Sequence, residues 1–364
     1  MIFIIFATGV YAGIYARHHK TTPYYRLYYI KRNLLGFLNG STDLENIFKD
    51  RKFFVDFFSL PNMADILLAH DAKISSRAFA SMIKYNGQFH IFYAGRNAET
   101  EQYSIYKRSS PTLHGIKSAN EHLLFNPEAI GVKMAWMPYI FKDDDNYHLF
   151  FTVREQQISS EGEFDEYVMK ATSTDLLDFN IDPTPVLKAD LPWEGREVEN
   201  WGIIKVHDNY YMSYESRGPS QQESERSIGY AVSSDLNNWE RMQSKPSITG
   251  GVCCSSFFKV GDVYHSIAAN GTRFAIHASS TVEGLNDKNL VGYFYPHGTD
   301  YKGSVDTPEI ITDSITKTLL GENDEIILMF SSTKDGFWST QYVTFPDIEG
   351  FIKSITAISN SSDN

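Results

Sequence analysis

A lysine, a polar turn and a run of aromatic strand residues recur along this chain, and their spacing leaves few architectures open. The unit stands at 81–93 (SMIKYNGQFHIFY), 138–151 (PYIFKDDDNYHLFF), 202–214 (GIIKVHDNYYMSY) and 256–267 (SFFKVGDVYHSI). A degenerate fifth copy follows at 308–312 (PEIIT), with its second strand at 325–330 (EIILMF). The aligned lysines Lys84, Lys142, Lys205 and Lys259 fall 58, 63 and 54 residues apart. Each copy reads as a hairpin, two short strands around a tight polar turn. A third strand follows near Tyr103, Tyr167, Ser227 and Phe274, and short loops opening at Ser173, Ser233 and Ser279 lead to an outer fourth. Four antiparallel strands repeated at such a period predict an all-β chain, a β-propeller with five blades. An irregular β-sandwich is the alternative; the period-2 texture excludes a helical solenoid.

The propeller is expected over 66–358, with 351–358 offering a strand to close it and 359–364 a frayed tail. Residues 21–65 read as a helical or irregular lead-in. Residues 1–20 read as a membrane anchor or signal segment: 2–16 is apolar apart from two tyrosines and ends at Arg17, His18, His19 and Lys20. That stretch is short for a span, and a buried first strand competes with it. A membrane-anchored or secreted protein follows, with the side left open because Arg17, Lys20, Arg26, Lys31 and Arg32 draw the next region toward the cytoplasm.

A net charge of −12 argues against a nucleic-acid partner, which needs a basic surface. Aromatics at 14% suit pleated strands and suit sugar stacking equally. The two cysteines, Cys253 and Cys254, are adjacent, which is neither a disulfide framework nor a metal-ligand spacing, and they read as packing.

Two segments carry a family resemblance: 198–214 (VENWGIIKVHDNYYMSY) and 227–239 (SIGYAVSSDLNNW). Over about 70–346 the chain resembles the five-bladed β-propeller glycosidases, namely the arabinanase and xylosidase group, the invertase and levansucrase group, and the related mannoside phosphorylases. The resemblance implies a catalytic glutamate at the start of the third innermost strand, which counting back from Lys205 places at Glu199. Asn200 stands where the phosphorylases carry a further acid. Glycosidic cleavage needs a protonated carboxyl at the leaving oxygen and a second carboxylate as base or nucleophile. The family's other acids begin the first and second innermost strands. Here those stretches read Arg77, Ala78, Phe79, Ala80 and Ala135, Trp136, Met137, Pro138, without a carboxylate. Asp306, level with Glu199 by the same count, and Asp71 are the candidate catalytic partners, each with a plain alternative as a turn or loop acid. Glu197 shares Glu199's strand face.

Arg96, Arg154, Arg217, Arg273 and Lys334 each follow a second strand, where antiparallel partners return to the mouth. With Arg77 they form an expected substrate-binding set suited to an anionic saccharide held by guanidinium forks. Trp136 and Trp201 are candidate sugar platforms, with wedging between blades as the alternative. No cofactor is expected; His265 is the residue the resemblance would offer to a central water or an ion such as calcium, against the plainer reading of a core histidine. The expected partner is an oligosaccharide or polysaccharide. The first reading is therefore an enzyme cleaving or transferring glycosidic bonds. A non-catalytic carbohydrate-binding propeller is the second, and a protein-interaction propeller with an apolar mouth the third.

Overall fold

The recurring lysine owes its spacing to the hairpin around it. Strand β2 (Ile74–Tyr85) pairs with β3 (Gln88–Asn97), β6 (Met134–Asp143) with β7 (Asn146–Arg154), β10 (Glu199–Val206) with β11 (Asn209–Ser216), and β14 (Cys253–Val260) with β15 (Val263–Asn270). In each pair the lysine lies directly opposite an aromatic ring: Lys84 and Phe89, Lys142 and Tyr147, Lys205 and Tyr210, Lys259 and Tyr264. The ammonium groups sit 5.0, 6.0, 4.9 and 5.2 Å from those ring centres. The repeat is thus a cross-strand cation–π pair that pins hairpin register, each worth roughly 0.5–1 kcal/mol at a wet site. In the first hairpin Asn86 (φ 48°) and Gly87 (φ 72°) both take left-handed backbone, as a two-residue type I′ turn demands.

This computed structural model describes residues 64–155, 164–220, 222–294, 296, 305–310, 326–334, 337–345 and 351. The expectations for 1–20, for most of 21–65, and for a strand and frayed end beyond 351 fall outside the described residues. Among the described residues no helix is long and apolar enough to cross a membrane.

Third strands follow as β4 (Tyr103–Ser110), β8 (Glu166–Ser173), β12 (Ser227–Ser233) and β16 (Arg273–Ser279). The outer strands are β5 (His122–Phe125), β9 (Asn180–Ile181), β13 (Glu240–Arg241) and β17 (Leu290–Phe294). Such short edges offer little template for another chain. The predicted serine loops form as capped turns: Ser173 accepts from the Leu176 amide and Ser233 from the Leu236 amide, both at 3.0 Å. The second, third and fourth repeats make separate four-stranded antiparallel sheets. The first repeat joins a closing group, β18 (Val305–Ile310), β19 (Ile326–Lys334) and β20 (Phe337–Phe345), in an eight-stranded sheet through one parallel bridge, Arg77 to Ser339. Strand β1 (Asp65–Leu68) pairs with β20, Asp65 opposite Tyr342 and Leu68 opposite Thr340. The segment just ahead of the first repeat therefore completes the last group; among the described residues this role falls to β1, where the sequence suggested 351–358.

Strands buried on both faces read as continuous apolar runs, and their alternate residues feed different cores. Ile327 and Met329 pack with Met82, Phe89 and Ile91, while Leu328 and Phe330 pack with Phe258, Ile267 and Phe274. Ile203 and Met212 face Phe141 and Phe150, while neighbouring Ile204 joins Tyr230 and Phe257. Ile83, Phe92 and Ile105 meet Ile140, Leu149 and Phe151. Each buried phenylalanine contributes about 1.5–3 kcal/mol by removal from water. The first strands also follow one another in contact, β2 with β6, β6 with β10, β10 with β14, β14 with β18 and β18 with β2. Their beginnings are thereby gathered into one place.

Candidate active site

Each first strand carries a bulge close to its start, between Ala78 and Ser81, Trp136 and Tyr139, Asn200 and Gly202, Cys253 and Ser256, and Asp306 and Glu309. In four of the five a non-glycine residue is left-handed: Phe79 (φ 54°), Met137 (φ 51°), Cys254 (φ 58°) and Thr307 (φ 48°). Such backbone costs about 1–3 kcal/mol each and concentrates where side chains must be re-aimed. Just before the bulges, five cross-strand pairs stand level: Ala78 with Ala94, Trp136 with Thr152, Glu199 with Glu215, Cys253 with Ala269, and Asp306 with Ser331. A side chain at Gly202 would meet the Ser256 backbone at 2.9 Å, so glycine lets the third and fourth first strands approach closely here.

Glu199 is 2% exposed, and one of its carboxylate oxygens, Oε2, is buried without a hydrogen-bond partner. Burial, the neighbouring Glu215 and a hydrogen-bonding Glu166 together push its pKa well above the carboxylate range, against the pull of Arg226. These effects favour the protonated carboxyl over the charged one. Glu197 bridges to Glu166 across adjoining strands and lies 3.4 Å from Arg217. Burial and Glu166 raise its pKa to about 7, with Arg217, Arg154 and Arg226 opposing. Two carboxyls two residues apart, Glu197 just ahead of β10 and Glu199 opening it, are thus both shifted toward the protonated form, as general acid–base chemistry can use.

Two further acids complete the group. Glu215, next to last in β11, is bound by Arg226, and accepts from the Cys254 amide at 2.6 Å and the Cys254 thiol at 3.2 Å. Asp306 accepts from the Thr307 amide at 2.9 Å and from both thiols, Cys253 at 3.4 Å and Cys254 in a shorter contact. Burial and Glu215 raise the Asp306 pKa, with Arg226 opposing.

The other side of the mouth is aromatic. Phe79 lies between Tyr103, Trp136, Trp201 and Trp338, with ring centres 5.6 to 6.5 Å apart. Ala78, Met137 and Cys254 join this cluster. The indole N–H groups of Trp136 and Trp201 are buried without partners. Beneath, Phe79, Pro138, Trp201, Pro308 and Glu309 line a gap of only about 10 Å³, and Glu309 is committed to Ser81 at 3.1 Å and the Met82 amide at 3.0 Å.

Among solved structures the chain is similar to Zg3597, a family 117 glycoside hydrolase of the marine bacterium Zobellia galactanivorans. The TM-score is 0.59 at 13% identity, over 80% of this chain and 92% of that one. The α-L-arabinofuranosidase of Lactobacillus brevis gives 0.57 at 12% identity, over 79% and 94%. The catalytic domain of the family 62 α-L-arabinofuranosidase of Coprinopsis cinerea gives 0.54 at 12% identity, over 78% and 96%. The fold is that of the glycosidase β-propellers. No family model matches the chain, and no curated protein matches it in sequence.

Within this propeller the sequence-predicted residues divide. Glu197, Glu199 and Asp306 come together with Arg154 and Arg217, while Trp136 and Trp201 share the aromatic cluster. Asp71 does not join them. It accepts from the amides of Lys73 at 2.8 Å and Ile74 at 2.9 Å and pairs with Arg77 at 2.7 Å. The Ile74 amide and Arg77 hold its pKa down at about 2 against some desolvation. Arg77, 4% exposed, grips Asp71, Glu121 at 2.8 Å and the Ala69 carbonyl at 2.7 Å, so it serves the propeller's structure. His265 stacks on Phe258 with ring centres 4.7 Å apart, among the packing of the fourth repeat.

The expected row of substrate arginines is largely engaged by the protein's own carboxylates. Arg154 binds Glu166 and stacks over Trp136 at 4.8 Å and Phe164 at 4.4 Å. Arg217 faces Glu197, and Arg96 lies 3.1 Å from Glu101. Arg273 opens β16 two residues past the level of Arg96, Arg154 and Arg217, over the Tyr293 ring at 3.6 Å. Lys334 ends β19, and its side chain is outside the described residues. Glu166, Glu215 and Arg226 were missed in sequence. The signal was present for two: counting across the hairpins sets Glu215 against Glu199 and Glu166 against Arg154.

Proposed function

We propose that this chain is a carbohydrate-active enzyme that cleaves or transfers glycosidic bonds, with Glu199 as the general acid. The observation that carries the reading is the buried Glu199, its pKa pushed well above the carboxylate range, at the start of a first strand and two residues after a Glu197 raised to about 7. Glu199 would protonate the leaving glycosidic oxygen. Glu197, ionised in part at neutral pH and held by Arg217, would serve as base toward water or an acceptor. Trp136, half-buried, would offer a ring face to a sugar, with the buried Trp201 packed in the cluster behind it. An uncharged saccharide is favoured, since solved neighbours hold cellotriose and xylotriose. The engaged arginines argue the same way: an anionic saccharide would have to displace internal carboxylates to reach Arg154 or Arg217.

The same reading takes the propeller as five-bladed, the eight-stranded sheet counting as two blades joined at the Arg77–Ser339 bridge and β1 completing the last blade. The apolar segment 2–16 fits delivery to or across a membrane, where polysaccharide is met. A non-catalytic carbohydrate-binding propeller is favoured by one observation, Ala78 and Trp136 at the level where the resemblance places carboxylates. Incubation with neutral and acidic oligosaccharides separates the two readings. Release of reducing ends by the wild type, lost in Glu199→Gln with sugar binding retained, supports catalysis. Binding without any product from the wild type supports the second reading.

A further inference from the structure

Adjacent residues of a regular strand point to opposite faces, so a Cys–Cys pair should send its thiols apart. The bulge at Cys254, with its φ of 58°, breaks that rule. Both sulfurs turn to one carboxylate oxygen, Asp306 Oδ1, with Cys253 Sγ at 3.4 Å and Cys254 Sγ closer. Cys254 Sγ also lies 3.2 Å from Glu215 Oε2. One ligand atom each from Glu215, Cys253 and Cys254 fall within 4.8 Å of one another. Three donors from β11 and β14 are thus drawn together, and Asp306 of β18 meets them through both sulfurs.

We propose that Cys253, Cys254, Glu215 and Asp306 form a binding site for a thiophilic divalent cation of the zinc class. Two sulfur and two carboxylate donors suit a tetrahedral borderline-soft ion and not calcium or magnesium, which take oxygen only. Bond lengths of about 2.3 Å to sulfur and about 2.1 Å to oxygen put S···O edges near 3.6 Å. The contacts of 3.2 and 3.4 Å are already close to such edges. Charge runs in the same sense: the negative charge of two thiolates and two carboxylates is offset in large part by the cation and by Arg226, which pairs with Glu215. Each thiol releases its proton to solvent on binding, and no redox step is involved. The ion would tie the third, fourth and closing groups of strands together beside the mouth.

The test uses the full chain, reduced and stripped of metal by chelator, then titrated with Co²⁺ and Zn²⁺. Wild type is expected to take up one Co²⁺ with the near-ultraviolet sulfur-to-cobalt band and intense visible bands of a tetrahedral site. Zn²⁺ should displace the Co²⁺ and raise the melting temperature further as its concentration climbs past the dissociation constant, with the logarithm of concentration. Cys253→Ser and Asp306→Asn should weaken Zn²⁺ binding at least about tenfold and abolish its effect on melting. Circular dichroism of the metal-free variants separates loss of a ligand from loss of the fold. The proposal is overturned if reduced wild type shows no sulfur-to-cobalt band with excess Co²⁺. It is equally overturned if both folded variants keep wild-type Zn²⁺ affinity.

Discussion

The two sides of the propeller's mouth are built from the same strand position and differ in nearly everything else. In the first and second repeats that position holds Ala78 and Trp136, and the surroundings are Phe79, Tyr103, Met137, Trp201 and Trp338. In the third, fourth and closing groups it holds Glu199, Cys253 and Asp306, backed by Glu215, Glu166 and Arg226. An aromatic side can hold a sugar face but moves no proton. An acid side can move protons but, being buried and internally paired, holds little by itself. On the proposed function, positioning falls to one side and chemistry to the other.

Breaking the acid side should have the largest effect. Glu199→Gln removes the proton donor with little change in shape, and turnover is expected to fall by about 10²–10⁴-fold with binding retained, read from product formation and calorimetry. Next in size is Arg226→Ala, which leaves Glu215 buried without its cation. A loss of about 3–5 kcal/mol in denaturant unfolding is expected, against less for a surface arginine such as Arg96. If the two losses are equal, the acid side is not internally paired.

A pH series sharpens the comparison further. The folded-state pKa of Glu197 is raised to about 7 from an ordinary 4.5, so its protonated form is the stable one in the fold. Its contribution is complete below about pH 4.5 and is lost as pH rises toward 7. Glu197→Gln should therefore match wild-type stability at low pH and exceed it above neutrality by an amount on the order of 3 kcal/mol at most. The smallest effect is expected from Trp136→Ala on the aromatic side: KM for an oligosaccharide up by about tenfold, with kcat nearly unchanged. A collapse of kcat in that variant would erase the division between the sides.

The fold was legible because its repeat is written in a local code. Lysine and aromatic stand five residues apart, on either side of a turn, and the pair sets register without distant help. Glu199 was legible for the same reason, at a fixed count from Lys205. The rest of the acid group was not, because Glu166 opens a third strand and Glu215 is next to last in a second, and one strand's pattern does not reveal what converges on it. The cysteines do pack among apolar side chains, but the turn of both thiols to Asp306 was not legible because period-2 alternation hides a left-handed residue. The arginine row was found by position, but its partners Glu166 and Glu197 come from other strands.

The pairing of β1 with β20 bears on how the chain reaches this fold. Leu68 and Thr340 are 340 − 68 = 272 residues apart in sequence and directly opposed in the sheet. Contacts so distant along the chain form late and slow folding, because loop closure must precede any gain from them. Each hairpin with its lysine–aromatic pair can form as it is synthesised, but β20 has no partner at its outer edge until β1 returns to it. Closure of the last group therefore waits on two strands far apart in the chain, and a β20 not yet paired with β1 keeps an edge open to other strands.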